Sequence, residues 1–253
     1  SWQSTGSLTA PGETTAAFDG SFAEASGDVD LKLKTEVGAV SAYAPGIAGA
    51  ASADLTATRR AGLWQGEGAV TGPAGASADL SGSFNEQDGA VDLDFDAVVR
   101  QLQQFIPGLD GVLTAKGEAS LAEGLWTLET TADGPLGIDS RIAGTWDEAK
   151  AQADVIAKGS LRLEGANAFI KPNLISGLAQ FDLALRGPAE LSSLSGTVTT
   201  PDARLVLPET AQAVDGITAR IALNNGSATV ALSAAPRAGG RVEVNGPVTL
   251  TAP

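Results

Sequence analysis

Apolar and polar residues alternate one for one along much of this chain. Val29, Leu31 and Leu33 are interleaved with Asp30, Lys32 and Lys34, and Val91, Leu93 and Phe95 with Asp92, Asp94 and Asp96. The same beat runs through Leu161 and Leu163 around Arg162, and through Phe181, Leu183 and Leu185 around Asp182 and Ala184, with Arg186 following. It returns in Ile221 and Leu223 behind Arg220, and in Val242 and Val244 around Glu243. A period of two sends alternate side chains to opposite faces of a sheet. One face is then apolar and the other charged, the signature of antiparallel strands with one wet side. The fifteen apolar residues just named are the predicted lining of the apolar face. Asp30, Asp92, Arg162, Asp182 and Glu243 are predicted to face water.

Turn chemistry breaks these runs at Gly72-Pro73, Asp88-Gly89, Asp133-Gly134-Pro135, Gly187-Pro188, Asn225-Gly226, Gly239-Gly240 and Gly246-Pro247. Glycine after Asn, Asp or Gly supplies the positive φ of tight hairpins. The expected fold class is therefore all-β, a meander of short antiparallel strands. One non-strand element is also expected. Val99, Leu102 and Ile106 share a helical face before Pro107, as do Val37, Val40 and Ala44 before Pro45. Proline closes both segments, and Asp96 is placed to cap the second. A short helix or coil covering the sheet or its rim fits both.

The chain also resembles itself. Gly62-Leu63-Trp64 recurs as Gly124-Leu125-Trp126, 62 residues on. Behind them, at equal offsets, come Glu67 and Glu129, Gly72-Pro73 and Gly134-Pro135, Gly82 and Gly144, Glu86 and Glu148. One step back are Trp2, Pro11, Gly20, Phe22 and Glu24. A fixed period of this kind predicts stacked supersecondary units and an elongated scaffold. Expected units are 1–61, 62–123, 124–176 and 177–253 within one continuous segment, the match fading after Trp146-Asp147-Glu148 and the fourth unit partial. The sequence holds no Met and enters the repeat inside a unit, so it reads as part of a longer chain.

Composition narrows the function. A net charge of −14 disfavours nucleic acid or an anionic membrane surface as partner. Cys and His are absent, which removes thiol nucleophiles, imidazole bases and the commonest zinc ligands. No stretch approaches the roughly 20 apolar residues of a membrane-spanning helix. Asp92, Asp94 and Asp96 lack the glycine turn and closing Glu of a calcium loop, and read as a polar strand face. Gly66-x-Gly68 sits in a hairpin context rather than between a strand and a helix, which a phosphate loop requires. Trp64 and Trp126 read as packing residues in a wall of small side chains rather than as sugar platforms. Asn225-x-Ser227 matches the N-glycosylation pattern, which matters only in a eukaryotic secretory setting. No metal or cofactor is expected, and no catalytic residue stands out.

The C-terminal third carries a family resemblance. Leu194-Ser195-Gly196-Thr197-Val198, Ala203-Arg204-Leu205, Pro208, Val214-Asp215-Gly216-Ile217 and Gly239-Gly240-Arg241-Val242-Glu243-Val244-x-Gly246 follow one another between alternating strands. Phe105-Ile106-Pro107-Gly108-Leu109-x-Gly111 is of the same style. This succession resembles the TamB family, within the AsmA-like group of bridge-like lipid transporters of Gram-negative bacteria. The resemblance implies a long sheet curled into a taco-like groove, apolar inside, crossing the periplasm from an inner-membrane anchor outside this segment. It implies phospholipid movement toward the outer membrane, help in assembling outer-membrane proteins, and a TamA-like outer-membrane barrel as partner.

Independently, a sheet with one apolar face must cover it, curl it or offer it to a ligand. With little helix to cover it, acyl chains are the expected occupants, at about 0.8 kcal/mol per buried CH₂. A non-enzymatic lipid-conducting groove is thus the expected function. The alternative is an extracellular adhesin or autotransporter-like β-solenoid, although solenoid coils are usually shorter. A glycosidase on a β scaffold would need two carboxylates facing across a cleft, and nothing in the sequence places them so.

Overall fold

Side chains that alternate in polarity over eight to fourteen residues, bounded by glycine turns, form strands and little else. The computed structural model describes residues 1–44, 46–105, 109–168, 170–236 and 239–249. Its sixteen strands join in one open antiparallel sheet, each hydrogen-bonded to the next in chain order. The chain divides into two units, Ser1–Leu128 and Glu129–Pro253.

The first unit contains β1 (Trp2–Ala10), β2 (Thr14–Ala23), β3 (Asp28–Val37), β4 (Ala51–Arg60), β5 (Leu63–Gly72), β6 (Ala76–Asn85), β7 (Val91–Val99) and β8 (Leu113–Ala122). β9 (Leu125–Gly134) spans the boundary. Register is unbroken from β1 to β8, so every residue keeps its face across the sheet. One row reads Trp2, Phe22, Val29, Arg59, Trp64, Phe84, Val91, Leu121. Two residues along, the next reads Ser4, Gly20, Leu31, Ala57, Gly66, Gly82, Leu93, Ala119. The third reads Gly6, Phe18, Leu33, Leu55, Gly68, Leu80, Phe95, Gly117. The opposite face carries Asp30, Thr58 and Gln65, then Lys34 and Asp54, then Asp92 and Ser120. A one-residue slip would exchange the faces, which is why the register is so strongly specified.

The second unit contains β10 (Ile138–Asp147), β11 (Gln152–Arg162), β12 (Leu174–Gly187), β13 (Leu194–Leu207), β14 (Gln212–Asn224), β15 (Ser227–Pro236) and β16 (Val242–Thr249). Its apolar rows include Ala157, Leu183, Gly196, Leu223, Ala228, Val248, and Gly159, Phe181, Val198, Ile221, Val230, Gly246. Register shifts interrupt β12–β13, β13–β14 and β14–β15 near Gly177, Ala203 and Asp215. Bulges bend and twist the strands that carry them. Near this bend Ala203, Ile217 and Ala234 form a small core, with Leu163, Leu205, Val214 and Leu232 packed against it.

Most predicted turns fall between strands. Asn225 and Gly226 have φ of 46° and 82°, the double left-handed geometry of a two-residue hairpin. Ala61-Gly62 and Glu123-Gly124 adopt the same geometry, although neither dipeptide is an obvious turn signal. Gly246-Pro247 is no turn: both residues lie inside β16. Pro cannot donate to a ladder, so an outermost strand is where a sheet tolerates it.

The expected helices shrink to single 3-10 turns, Val40–Ala42 and Leu102–Gln104. Val37 and Val99 end strands instead. Asp96 sits within β7, opposite Lys116, and caps nothing. β-branched residues at the start of each segment extend the strand at the expense of the helix. Ile106 and the prolines at 45 and 107 lie outside the described residues. The first of these loops is tied down by Tyr43, whose hydroxyl donates to the Pro11 carbonyl at 2.7 Å and lies 2.9 Å from the Thr14 hydroxyl.

Candidate functional site

Among the described residues, no large side chain is fully buried. In the first unit the buried apolar residues are Ala74 and Leu102, both in 3-10 turns beyond the strand ends. Leu31, Leu33, Leu93 and Phe95 are only half-buried, shielded by row neighbours and by no second layer. Trp2 and Leu8 on the outermost strand are 67% and 66% exposed. An apolar sheet face of this extent normally packs against another layer; here it stands open.

Of the residues read as lining, Val29, Leu31, Leu33, Val91, Leu93 and Phe95 lie on the apolar face of the first unit. Leu161, Phe181, Leu183, Leu185, Ile221, Leu223, Val242 and Val244 lie on that of the second. Val242 and Val244, on the outermost strand, are exposed. Leu163 is in no strand. It opens a 3-10 helix, Leu163–Ala168, and packs against the small core. The water-facing set, Asp30, Asp92, Arg162, Asp182 and Glu243, is exposed throughout.

A hollow of about 310 Å³ lies in the apolar face of the first unit. Ala57, Gly66 and Gly82 form its floor, and Leu55, Leu80, Trp64 and Phe84 rise beside it. Alternation located the face, but this hollow depends on which strand places a glycine beside which leucine. That is register information, which one strand's sequence does not hold.

One charged residue interrupts the apolar rows, and it is tied down. Arg59 holds the Glu86 carboxylate with Nε and Nη2 at 2.7 and 2.6 Å, and Nη1 donates to the Gly27 carbonyl at 2.6 Å. The Trp64 indole N–H donates to the same Glu86 carboxylate at 2.7 Å. The bidentate guanidinium and the indole together lower the Glu86 pKa from 4.5 to about 2. Glu86 in turn raises the Arg59 pKa. The clamp joins β4, β5, the turn after β6 and the β2–β3 turn. It was missed in the alternation because Arg59 breaks the pattern. The signal lay in the repeat, where a Glu follows Trp2, Trp64 and Trp126 at 22 residues. Trp2 and Glu24 form the same contact at 3.5 Å.

A carboxyl group whose pKa is lowered by folding stabilises the fold above its unfolded value. That contribution is lost as pH falls through the folded value. For Glu86 the window runs from 4.5 down to about 2. Glu86→Gln is therefore expected to melt below wild type at neutral pH, with the gap closing across that window. Melting temperatures followed by circular dichroism test this; parallel pH profiles would contradict it.

The opposite face is polar and contains a larger hollow, about 660 Å³, lined by Asp54, Glu67, Asp79, Asp94, Asp96 and Lys116 among others. A twisted sheet is saddle-shaped, so both faces acquire concavities. Asp79 stands opposite Asp96, and Asp94 opposite Glu118, arrangements that disfavour anionic ligands. Lys116 and Asp96 pair at 2.6 Å, and Lys158 and Asp182 pair across the second unit at 2.9 Å. Such exposed pairs contribute little to stability. Among the described residues no group of three or more acidic side chains is arranged to hold a metal ion. Among the described residues no helix is long and apolar enough to cross a membrane. The chain matches no protein-family model, no curated protein and no solved structure.

Proposed function

We propose that this chain is a non-enzymatic, lipid-conducting segment of the TamB type, and that its apolar face receives the acyl chains of phospholipids. The reading places it in the periplasm of a Gram-negative bacterium, held to the inner membrane by a part of the protein outside this segment. Its partners are then phospholipids and a TamA-like outer-membrane barrel. Its roles are lipid movement between the two membranes, assistance to outer-membrane protein assembly, or both. The observation that carries the reading is the uncovered apolar face, continuous in register from β1 to β8 and free of unpaired charge. Acyl chains satisfy such a face at about 0.8 kcal/mol per buried CH₂.

The finer architecture, a groove curled from 62-residue units, belongs to the same proposal. Recurrence of element bounds supports the units: Leu63–Gly72 and Ala76–Asn85 answer to Leu125–Gly134 and Ile138–Asp147. Ala74 and Leu136, between them, share φ 60° and ψ 24°. Mass spectrometry of small molecules extracted from the purified protein tests the function. Phospholipid in stoichiometric amount is expected. A lipid-free protein would favour the adhesin-like alternative, a structural scaffold.

A further inference from the structure

Resting on the lipid reading above, we propose that the hollow over Ala57, Gly66 and Gly82 is a seat for one unbranched alkyl chain lying across β4, β5 and β6. Its shape comes from three aligned rows. The floor residues are successive cross-strand partners, so one alanine and two glycines stand side by side. On one side lie Trp64 and Phe84, also partners. On the other lie Leu55 and Leu80, flanking Gly68. Beyond β6 the floor row rises at Leu93, which bounds the seat.

Width selects the occupant. The two wall rows are four residues apart along each strand, about 13 Å between backbone positions, and large side chains narrow the gap from both sides. An α-helix, about 10–12 Å across with its side chains, does not enter; a single alkyl chain does. Charge selects in the same direction. The one ionised group in the wall rows, Arg59, is neutralised by the bidentate Glu86. The lining therefore offers nothing to a charged headgroup, which stays in water. The clamp also fixes the Trp64 indole through its N–H, so the aromatic wall is set before the chain arrives. Fixing a side chain in advance lowers the entropic cost of binding.

The test is a titration of the purified protein with a dibrominated stearate, following tryptophan fluorescence. Bromine quenches on contact, and Trp64 is in the wall. Saturable quenching is expected in the wild type. Ala57→Leu fills the seat and is expected to raise the half-saturating concentration at least tenfold, with Ala57→Val intermediate. Ala17→Leu, on the polar face, is expected to leave it unchanged. Circular dichroism verifies that each variant is folded. Saturable quenching that survives both Ala57 substitutions overturns the seat, as does full competition by an amphipathic helical peptide. Either result leaves the lipid reading of the face standing if phospholipid still co-purifies. Absence of lipid from the wild type strikes at that reading instead.

Discussion

Gly196→Val is expected to be among the most destabilising single changes in the second unit. Gly196 sits in β13 opposite Leu183 with φ 127°, a region that side-chain-bearing residues rarely occupy. A Cβ there would run into the Asp182 carbonyl oxygen and lie 2.8 Å from the Leu183 Cα. Both obstacles are backbone, so no rotamer change relieves them. Strain and collision together cost on the order of 3 kcal/mol. That corresponds to a fall in melting temperature of roughly 10 °C. Gly246 in β16 is the control, because nothing lies within 4 Å of its added Cβ. Gly246→Val is expected to change stability by less than about 0.5 kcal/mol. Thermal melts of the two variants that coincide would contradict this placement of β13 against β12.

The second large effect is on function. Leu93→Arg places a guanidinium between Gly82 and Ala119 on the apolar face. The face is open, so the side chain snorkels toward water and the fold survives at a cost of about 1–2 kcal/mol. Acyl chains have no such escape. A cation in an apolar layer costs about 2.5–3.5 kcal/mol, and each 1.4 kcal/mol is tenfold in occupancy. Co-purifying lipid is expected to fall tenfold or more. Asp92→Arg, one residue away between Ser83 and Ser120, is expected to keep its lipid and its melting temperature. Equal lipid content in the two variants would show that the faces are not functionally distinct.

The strands and their faces were legible because alternation is a local signal repeated in every element. Val29 to Leu33 and Val91 to Phe95 declare the face without help from any neighbour. Leu163 shows the limit. It continues the beat of Leu161, yet the chain leaves the ladder after Arg162 and turns into a 3-10 helix. That turn is stabilised by the distant Ala203, Ile217 and Ala234, which no local pattern contains. Gly246-Pro247 misled for a related reason. The dipeptide is turn-like by itself, and its tolerance inside β16 comes from that strand lying outermost. The Arg59–Glu86–Trp64 clamp joins residues on two strands, β4 and β5, and in the turn after β6. Its members were visible, Glu86 as a repeat column and Arg59 as a lapse in alternation, but only register brings them together.

The lipid-conducting proposal requires the apolar face to be open to lipid rather than closed as a protein core. Photoreactive residues introduced singly at 93, 183 and 92 in cells distinguish the two, with captured material identified by mass spectrometry. Phospholipid adducts are predicted at Leu93 and Leu183, which are half-buried on the apolar face, and none at Asp92, which is exposed on the polar one. Adducts at Leu93 and Leu183 that contain protein alone would mean the face is packed against polypeptide, and would contradict the lipid-conducting function.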